Sequence, residues 1–526
     1  MKPATEYPFH ITVSPLDYVP PRNYVRILFP LPLKNKVDPR VVFEDLHEAL
    51  HKTFVQEPWV AGKVFRQSLN TPGRRPGQME LRYAPYIYDQ PRPHNLTYQQ
   101  LEADLTYEDF KAAGFPSGIF DEDSLLRAPR LSDVDVEGAD IFLAQANFLP
   151  GGLLLGMTTS HAAIDASGML NIQRMWAENF RELHERDAGG KVAPSLFKPI
   201  DSDRTIAERI WLRDSGSRSL SKPADPWLRG LVCLDSDYPG EDVTGEAQRL
   251  VYAAAQDEMN GVKSLAHQNP YGHPTPPRQP AVMLNRIYFL SATDLAALQK
   301  LCQADQPDGA APISQSDAIM ALFWRGVMRA RYACAKSRGI TLDEISVFEC
   351  PVDVRDGFGA DFPPNYLGNC FFLNNARMPL AELIAPATSL GKVAQAIRAG
   401  AAALDTSTIQ DAYGLMRSAP DFSKAQGRFV ERPESADCLL SNIIFFSMDS
   451  INFGERYFED NGSPSTLRVL HGSYAPYVRL GHVLPKYASH GGCELSLNLF
   501  DDEMVFLDDD EEFARYFVPI DPPDES

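Results

Sequence analysis

Cysteine is scarce and poorly placed for cross-linking: seven residues in 526, scattered, with no C-x-x-C pair. That pattern argues against a disulfide framework or a cysteine-based zinc site and fits reduced thiols in a cytoplasmic protein. No apolar run approaches the roughly 18 residues that would suggest a membrane-spanning helix. The opening Met1-Lys2-Pro3-Ala4-Thr5-Glu6-Tyr7 lacks the apolar stretch of a signal peptide. Phosphate-cradling glycine loops and G-x-S-x-G nucleophile elbows are also missing, which removes the usual nucleotide enzymes and serine hydrolases from consideration. Cations are in deficit, 50 Lys plus Arg against 70 Asp plus Glu, for a formal charge of −20. Such a chain is no general nucleic-acid binder, and a polyanionic ligand needs a local basic patch working against the global field.

What is present supports large cores: 44% hydrophobic and 23% charged residues, with 42 Pro that suggest long ordered loops. At this length two domains are expected. Periodicity predicts strands within residues 8–32, a helix over 38–53, and strands at 60–64 and 79–83; residues 97–130 read as mixed and polar. From about 189 to 280 the periodicity weakens and Pro, Gly and Ser dominate, the signature of a long crossover, with one helix expected at 256–267. The second half opens with a strand at 284–290 and a helix at 291–303. Ser316-Asp317 is read as the cap of a helix running to 336. A strand over 346–354, another at 371–373, helical segments over 383–404 and a hairpin-like meander follow. The boundaries expected are therefore 1–200, a crossover at 201–280, and 281–526.

The chemistry centres on Ser160-His161-Ala162-Ala163-Ile164-Asp165-Ala166-Ser167-Gly168. Two strands, joined at Pro150-Gly151-Gly152, lead into it, and an amphipathic helix over 169–184 leads out. His161 thus stands where a buried strand gives way to a turn, a place where a side chain is held rigidly yet can face a cavity. An imidazole with an ordinary pKa of about 6.5 can take a proton from a hydroxyl, amine or thiol. The pattern H-x-x-x-D is weak by itself, since about one chance match is expected in this composition. Asp165 reads equally well as a helix cap.

Two other clusters compete. His47-Glu48-Ala49-Leu50-His51 matches the zincin pattern H-E-x-x-H. The extension carries Phe54 and Glu57 where a metzincin needs Gly and His, and Leu46 and Leu50 explain the helix as a packed amphipathic element. No metal site is assigned. The run Asp508-Asp509-Asp510-Glu511-Glu512 lacks the alternating ligands and glycine of a calcium loop and suits the first turn of a helix.

The residues around His161 resemble the core of BAHD-type, coenzyme-A-dependent acyltransferases, and four further segments agree in order. Pro58-Trp59-Val60-Ala61-Gly62-Lys63-Val64 is similar to the family's early strand, and Ser316-Asp317-Ala318 to Trp324-Arg325 to its second-half helix. Val352-Asp353-Val354-Arg355 with Asn365-Tyr366-Leu367-Gly368-Asn369 resembles the segment ending in Y-x-G-N. Asn452-Phe453-Gly454-Glu455-Arg456 occupies the place of D-F-G-W-G. The likeness is nearer the fungal than the plant branch.

The resemblance implies an α/β fold of two similar chloramphenicol-acetyltransferase-like domains of mixed sheet and helix, joined by a long crossover, with the active-site channel between them. It implies transfer of an acyl group from acyl-coenzyme A, a co-substrate rather than a tightly bound cofactor, to a hydroxyl or amine of a small secondary-metabolite acceptor, in a monomer. His161 is then the general base. Asp165 is a structural partner of the motif paired with Arg355, and Tyr366 shapes the domain interface. Asn452 and Gly454 support the site, and Ser441 and Asn442 are candidates for lining the channel or donating to an oxyanion. Three departures stand in the late motif: Asn452 for Asp, Glu455 for Trp and Arg456 for Gly. Ala166 also replaces a frequent Gly. The rivals are a condensation-type enzyme with a carrier-bound donor, against which Ser160 replaces the expected second His, and a non-catalytic binding protein on the same fold.

Overall fold

A computed structural model describes residues 7–520 apart from 69, 90, 103–104, 117–119, 121, 128–137, 188–200, 216–224, 235–282, 308, 426, 428–434, 471–478 and 487–490. It contains three sheets. In the first half, a five-stranded sheet runs in the order Arg468–Val469, Tyr24–Pro32, Gly152–Ser160, Phe142–Leu149, Leu96–Gln100. Its central strand is paired along its whole length on both sides and buried throughout, which is why Gly152–Ser160 reads as an almost continuous apolar run. A smaller sheet of Phe9–Thr12, Met79–Tyr83, Lys63–Arg66 and Ala139–Asp140 lies alongside in sequence.

The second half is built on seven strands, ordered Phe371–Pro379, Ile345–Asp353, Asp437–Asn442, Leu480–Val483, Cys493–Phe500, Met283–Leu290, Val518–Pro519. The two pairings of Asp437–Asn442 are parallel and the remainder antiparallel. The helices Ala292–Ala304, Gln315–Ser337 and Leu390–Ala402 pack together and help form this half's core. The architecture is the expected mixed α/β arrangement in two units, with one exchange: Arg468 and Val469, from the second half, pair with Leu28 and Ile27 of the first sheet.

Local corrections have local causes. The helix expected over Ala318–Lys336 behind a Ser316-Asp317 cap begins at Gln315, because Ser314 and Asp317 form a reciprocal capping box. The strand expected at 60–64 starts only at Lys63, since Pro58 opens a 3-10 turn through Ala61. The start of the 97–130 stretch, read as mixed and polar, belongs to a strand, Leu96–Gln100, parallel to Phe142–Leu149. Helices Ile206–Ser215 and Pro226–Leu231 lie within the crossover, the first anchored by a Trp211 Nε1 hydrogen bond to the Gln410 carbonyl. The helix expected at 256–267 lies outside the described residues. The acidic run is structural: Asp510 caps Glu511–Ala514, while Asp510 and Glu512 pair with Arg329 and Arg325. All seven cysteines are buried thiols outside any disulfide.

Candidate active site

The turn after the central strand carries His161. Beyond it the chain enters the helix Ala166–Asp187, which packs along Pro39–Gln56 and fixes itself there with hydrogen bonds from Trp176 Nε1 to the Leu46 carbonyl and from Asn179 to Thr53 and Gln56. Gly168, in the first turn, has a steric reason: a Cβ there would lie 2.6 Å from the Leu367 carbonyl oxygen. Ala166 needs no glycine, as its backbone is helical and not left-handed.

Asp165 does both things its sequence context left open. Oδ1 accepts from the Gly168 amide at 2.9 Å, capping the helix, and Oδ2 accepts from the Cys370 amide at 3.0 Å. Arg355 donates to both oxygens at 3.0 and 2.9 Å and also reaches the carbonyls of Tyr366 and Gly368 and the carboxylate of Asp353. Burial opposes the Arg355 charge, yet Asp165 and Asp353 hold its pKa above the ordinary value. The pair joins residues 190 positions apart and ties the two halves together beneath the histidine. A second buried pair, Arg204 with Asp17 at 3.1 Å, completes this floor. Asn369 donates both to Asp17 and to the His161 carbonyl.

The His161 ring lines a cavity of about 120 Å³ formed from both halves. Burial lowers the pKa of His161, partly offset by the Asp165 charge, so the ring is neutral at physiological pH. Nδ1 is buried and unpaired, which leaves Nε2 as the nitrogen able to meet a ligand. The walls are mostly apolar, including Met169, Leu170, Phe371, Leu439 and Met448; the polar side chains among them are Arg26, Gln173, Ser441 and His482.

Of the candidates, Ser441 reaches the cavity and Asn442 does not: strand alternation turns Asn442 away, where its amide donates to Ser316 Oγ at 2.7 Å. Tyr366 is fully buried in the floor. Asn452 and Gly454 act on the helix that follows His161. The Asn452 side chain accepts from the Gly454 amide at 2.8 Å, its carbonyl accepts from Arg181 of that helix, and Phe453 packs edge-on against Trp176 and Phe180. Gly454 has a φ of +81°, which explains the glycine. His47 bonds the Pro93 carbonyl, Glu48 pairs with Arg92, and His51 packs edge-on against Tyr86. His47 and Glu48 therefore serve the outer flank of their helix, whereas His51, expected at the same polar flank, is buried.

His482 was not found from sequence. It stands directly beside Ser441 in the parallel ladder, so both side chains leave the same face of the sheet. Burial and the nearby His161 push its pKa down to about 3. The only sequence signal was a lone histidine within a short apolar segment.

Known proteins share the fold and stretches of the sequence. Residues 23–179 match the trichothecene 3-O-acetyltransferase-like N-terminal domain. The chain is 27% identical over 518 residues to the isocyanide synthase-NRPS hybrid crmA of Aspergillus fumigatus, covering 97% of this chain but only 31% of that protein, so it spans about a third of that relative's length. It is 24% identical over 520 residues to the acyltransferase cm3D of Cordyceps militaris, covering 96% of each. The fold matches the crystal structure of F. sporotrichioides TRI101 complexed with coenzyme A and T-2, with a TM-score of 0.69 at 21% identity over 97% of this chain and all of that one. Residues 23–179 thus carry a trichothecene 3-O-acetyltransferase-like N-terminal domain, and the chain as a whole is similar in sequence and in fold to fungal acyltransferases.

Proposed function

We propose that the protein transfers an acyl group from an acyl-coenzyme A thioester to a hydroxyl, or an amine, of a small and largely apolar secondary-metabolite acceptor, with His161 as general base. The observation that carries this reading is a neutral, buried imidazole on the wall of an apolar cavity made from both halves. The acceptor's proton passes to His161 Nε2 as its oxygen or nitrogen attacks the thioester carbonyl. A C–O or C–N bond forms, the carbonyl electrons move to oxygen, and the tetrahedral intermediate collapses as the C–S bond breaks. The departing thiolate takes the proton from His161. Ser441 and His482, facing the cavity from the second half, are the candidate donors to the oxyanion. Asp165 and Arg355 hold the turn and do not relay the proton, because both carboxylate oxygens are already occupied by donors.

The test is thiol release from acetyl-, malonyl- and longer acyl-coenzyme A in the presence of a panel of apolar alcohols and amines. Release that depends on the acceptor and disappears in His161→Ala is the expected result. Release equal in both proteins would refute the role of His161. The match to a stretch of a much longer NRPS hybrid favours one second reading, a donor thioester carried on a carrier domain. Turnover of an acyl-loaded carrier domain, with none of acyl-coenzyme A, would select it.

A further inference from the structure

The helix that leaves the His161 turn presents Ala166, Met169, Leu170 and Gln173 to the cavity. Their spacing is i, i+3, i+4 and i+7, one face of an α-helix, and three of the four are the apolar residues that such a face requires. Gln173 breaks the pattern. It is 4% exposed, and its carboxamide makes no hydrogen bond with any described residue. By contrast, the buried Gln145 bonds the Ser124 carbonyl and Asn147, and the amide nitrogen of the half-buried Gln306 bonds two carbonyls. The Gln173 amide atoms are not sealed in protein but open onto the cavity, in a stretch of wall that a leucine or methionine of the same size would complete. Leucine and methionine already occupy the positions one turn earlier.

We propose that Gln173 is a specificity-determining residue whose carboxamide binds a second oxygen function, a carbonyl or hydroxyl, on an acceptor whose reacting group lies at His161. The inference rests on the acyl-transfer reading for the name of the ligand as acceptor, but its physical basis is the cavity and the unpaired amide alone. The carboxamide both donates and accepts, so it suits a ketone or an alcohol and discriminates against the bare hydrocarbon at the same position. The substrate class is therefore an apolar, ring-sized molecule carrying at least two oxygen functions. Rejection of an analogue lacking the second oxygen follows because that analogue leaves the amide unpaired in the complex as well.

Two variants, Gln173→Leu and Gln173→Met, test this with readouts that a structural role would not give. The apoprotein of each is expected to melt no lower than wild type, since only an unpaired group has been removed. Melting several degrees lower in both variants would mean that Gln173 supports the fold, and would overturn the proposal. In the second arm, calorimetry compares trans-2-decalol with a hydroxydecalone as matched probes. The ketone is expected to bind wild type about tenfold or more tightly than the decalol, and the variants to lose that preference through weaker ketone binding only. Equal affinities in wild type, a preference retained in both variants, or no binding of the ketone would each overturn it. Thiol release from acetyl-coenzyme A, measured with wild type and His161→Ala on the same probes, separates the two ideas. Ketone preference without His161-dependent release would sink acyl transfer and leave the Gln173 site standing.

Discussion

The floor beneath His161 and the walls of the cavity beside it are built on opposite principles. The floor is charged and densely bonded: Asp165, Arg355, Asp17, Arg204 and Asn369 spend most of their hydrogen bonds on one another and on backbone groups from both halves, and only Arg355 Nε, Arg204 Nη2 and Asn369 Oδ1 among their polar atoms are buried without a partner among the described residues. The walls are apolar and carry a few polar groups, Gln173 and Ser441 among them, that the protein itself leaves without a side-chain partner among the described residues. A buried ion pair surrounded by donors is stiff, because moving either member strands a charge in low dielectric. An apolar wall can accept many shapes and reads a ligand only where a polar group breaks it. The difference separates the part that positions His161 from the part that selects what meets it.

Changes at four residues would break or sharpen that contrast. The largest effect is expected at His161 itself, which belongs to both regions: His161→Ala should cut turnover by roughly 10²–10⁴-fold with little change in melting temperature, measured by steady-state thiol release and calorimetric melting. Arg355→Ala strikes the floor. It strands the Asp165 carboxylate, and breaking a buried pair of this kind costs about 3–5 kcal/mol, to be read by denaturant unfolding. Arg355→Lys should restore only a fraction, since one ammonium cannot serve two carboxylates and two carbonyls in the planar arrangement of a guanidinium. A loss in Arg355→Ala no larger than that of a surface substitution would mean that the floor is not stiff in the sense argued.

The next effect is a pH dependence. The folded-state pKa of His161 lies below the ordinary imidazole value because burial disfavours the cation, so turnover should stay flat through neutrality and fall only as pH drops below about 6.5. An acid limb centred above that value would show the ring to be stabilised as a cation instead. For His482 the linkage acts on stability. Its folded pKa of about 3 lies below the unfolded value, so the unfolded chain binds the proton more readily and stability is lost as pH falls from about 6.5 towards 3. His482→Phe should flatten that part of the unfolding profile. The smallest effect is expected at the far end of the helix. Asn452→Asp places a carboxylate where Arg181 already reaches the residue's carbonyl, and a gain of about 1 kcal/mol or less is expected in thermal unfolding. A loss would show that the neutral hydrogen bond to the Gly454 amide cannot be replaced.

Much of this was legible beforehand where a residue's local pattern and its tertiary role coincide. The apolar run before His161 is a doubly paired central strand, and its periodicity alone revealed it. Leu46 and Leu50, both fully buried, marked the H-E-x-x-H helix as a packed element. The cap at Ser314 was missed because Ser316-Asp317 offers the same chemistry two residues later, and only the box between Ser314 and Asp317 decides between them. The strand at 96–100 was missed because its pattern is weak and its pairing partner lies more than forty residues away.

The sequence by itself determined the elements: a turn histidine after a buried strand, an amphipathic helix after the turn, and a composition able to fill two cores. Family resemblance added the pairing of Asp165 with Arg355, which spacing could not supply. Tertiary structure alone decided which polar side chains share a cavity. Ser441 and Asn442 are neighbours in sequence and face opposite ways, while Ser441 and His482 are 41 residues apart and stand side by side. The physical reason is that a strand's alternation fixes which side chains share a face but not which face becomes a wall. That choice is made only when the second sheet closes against the helix of the first half.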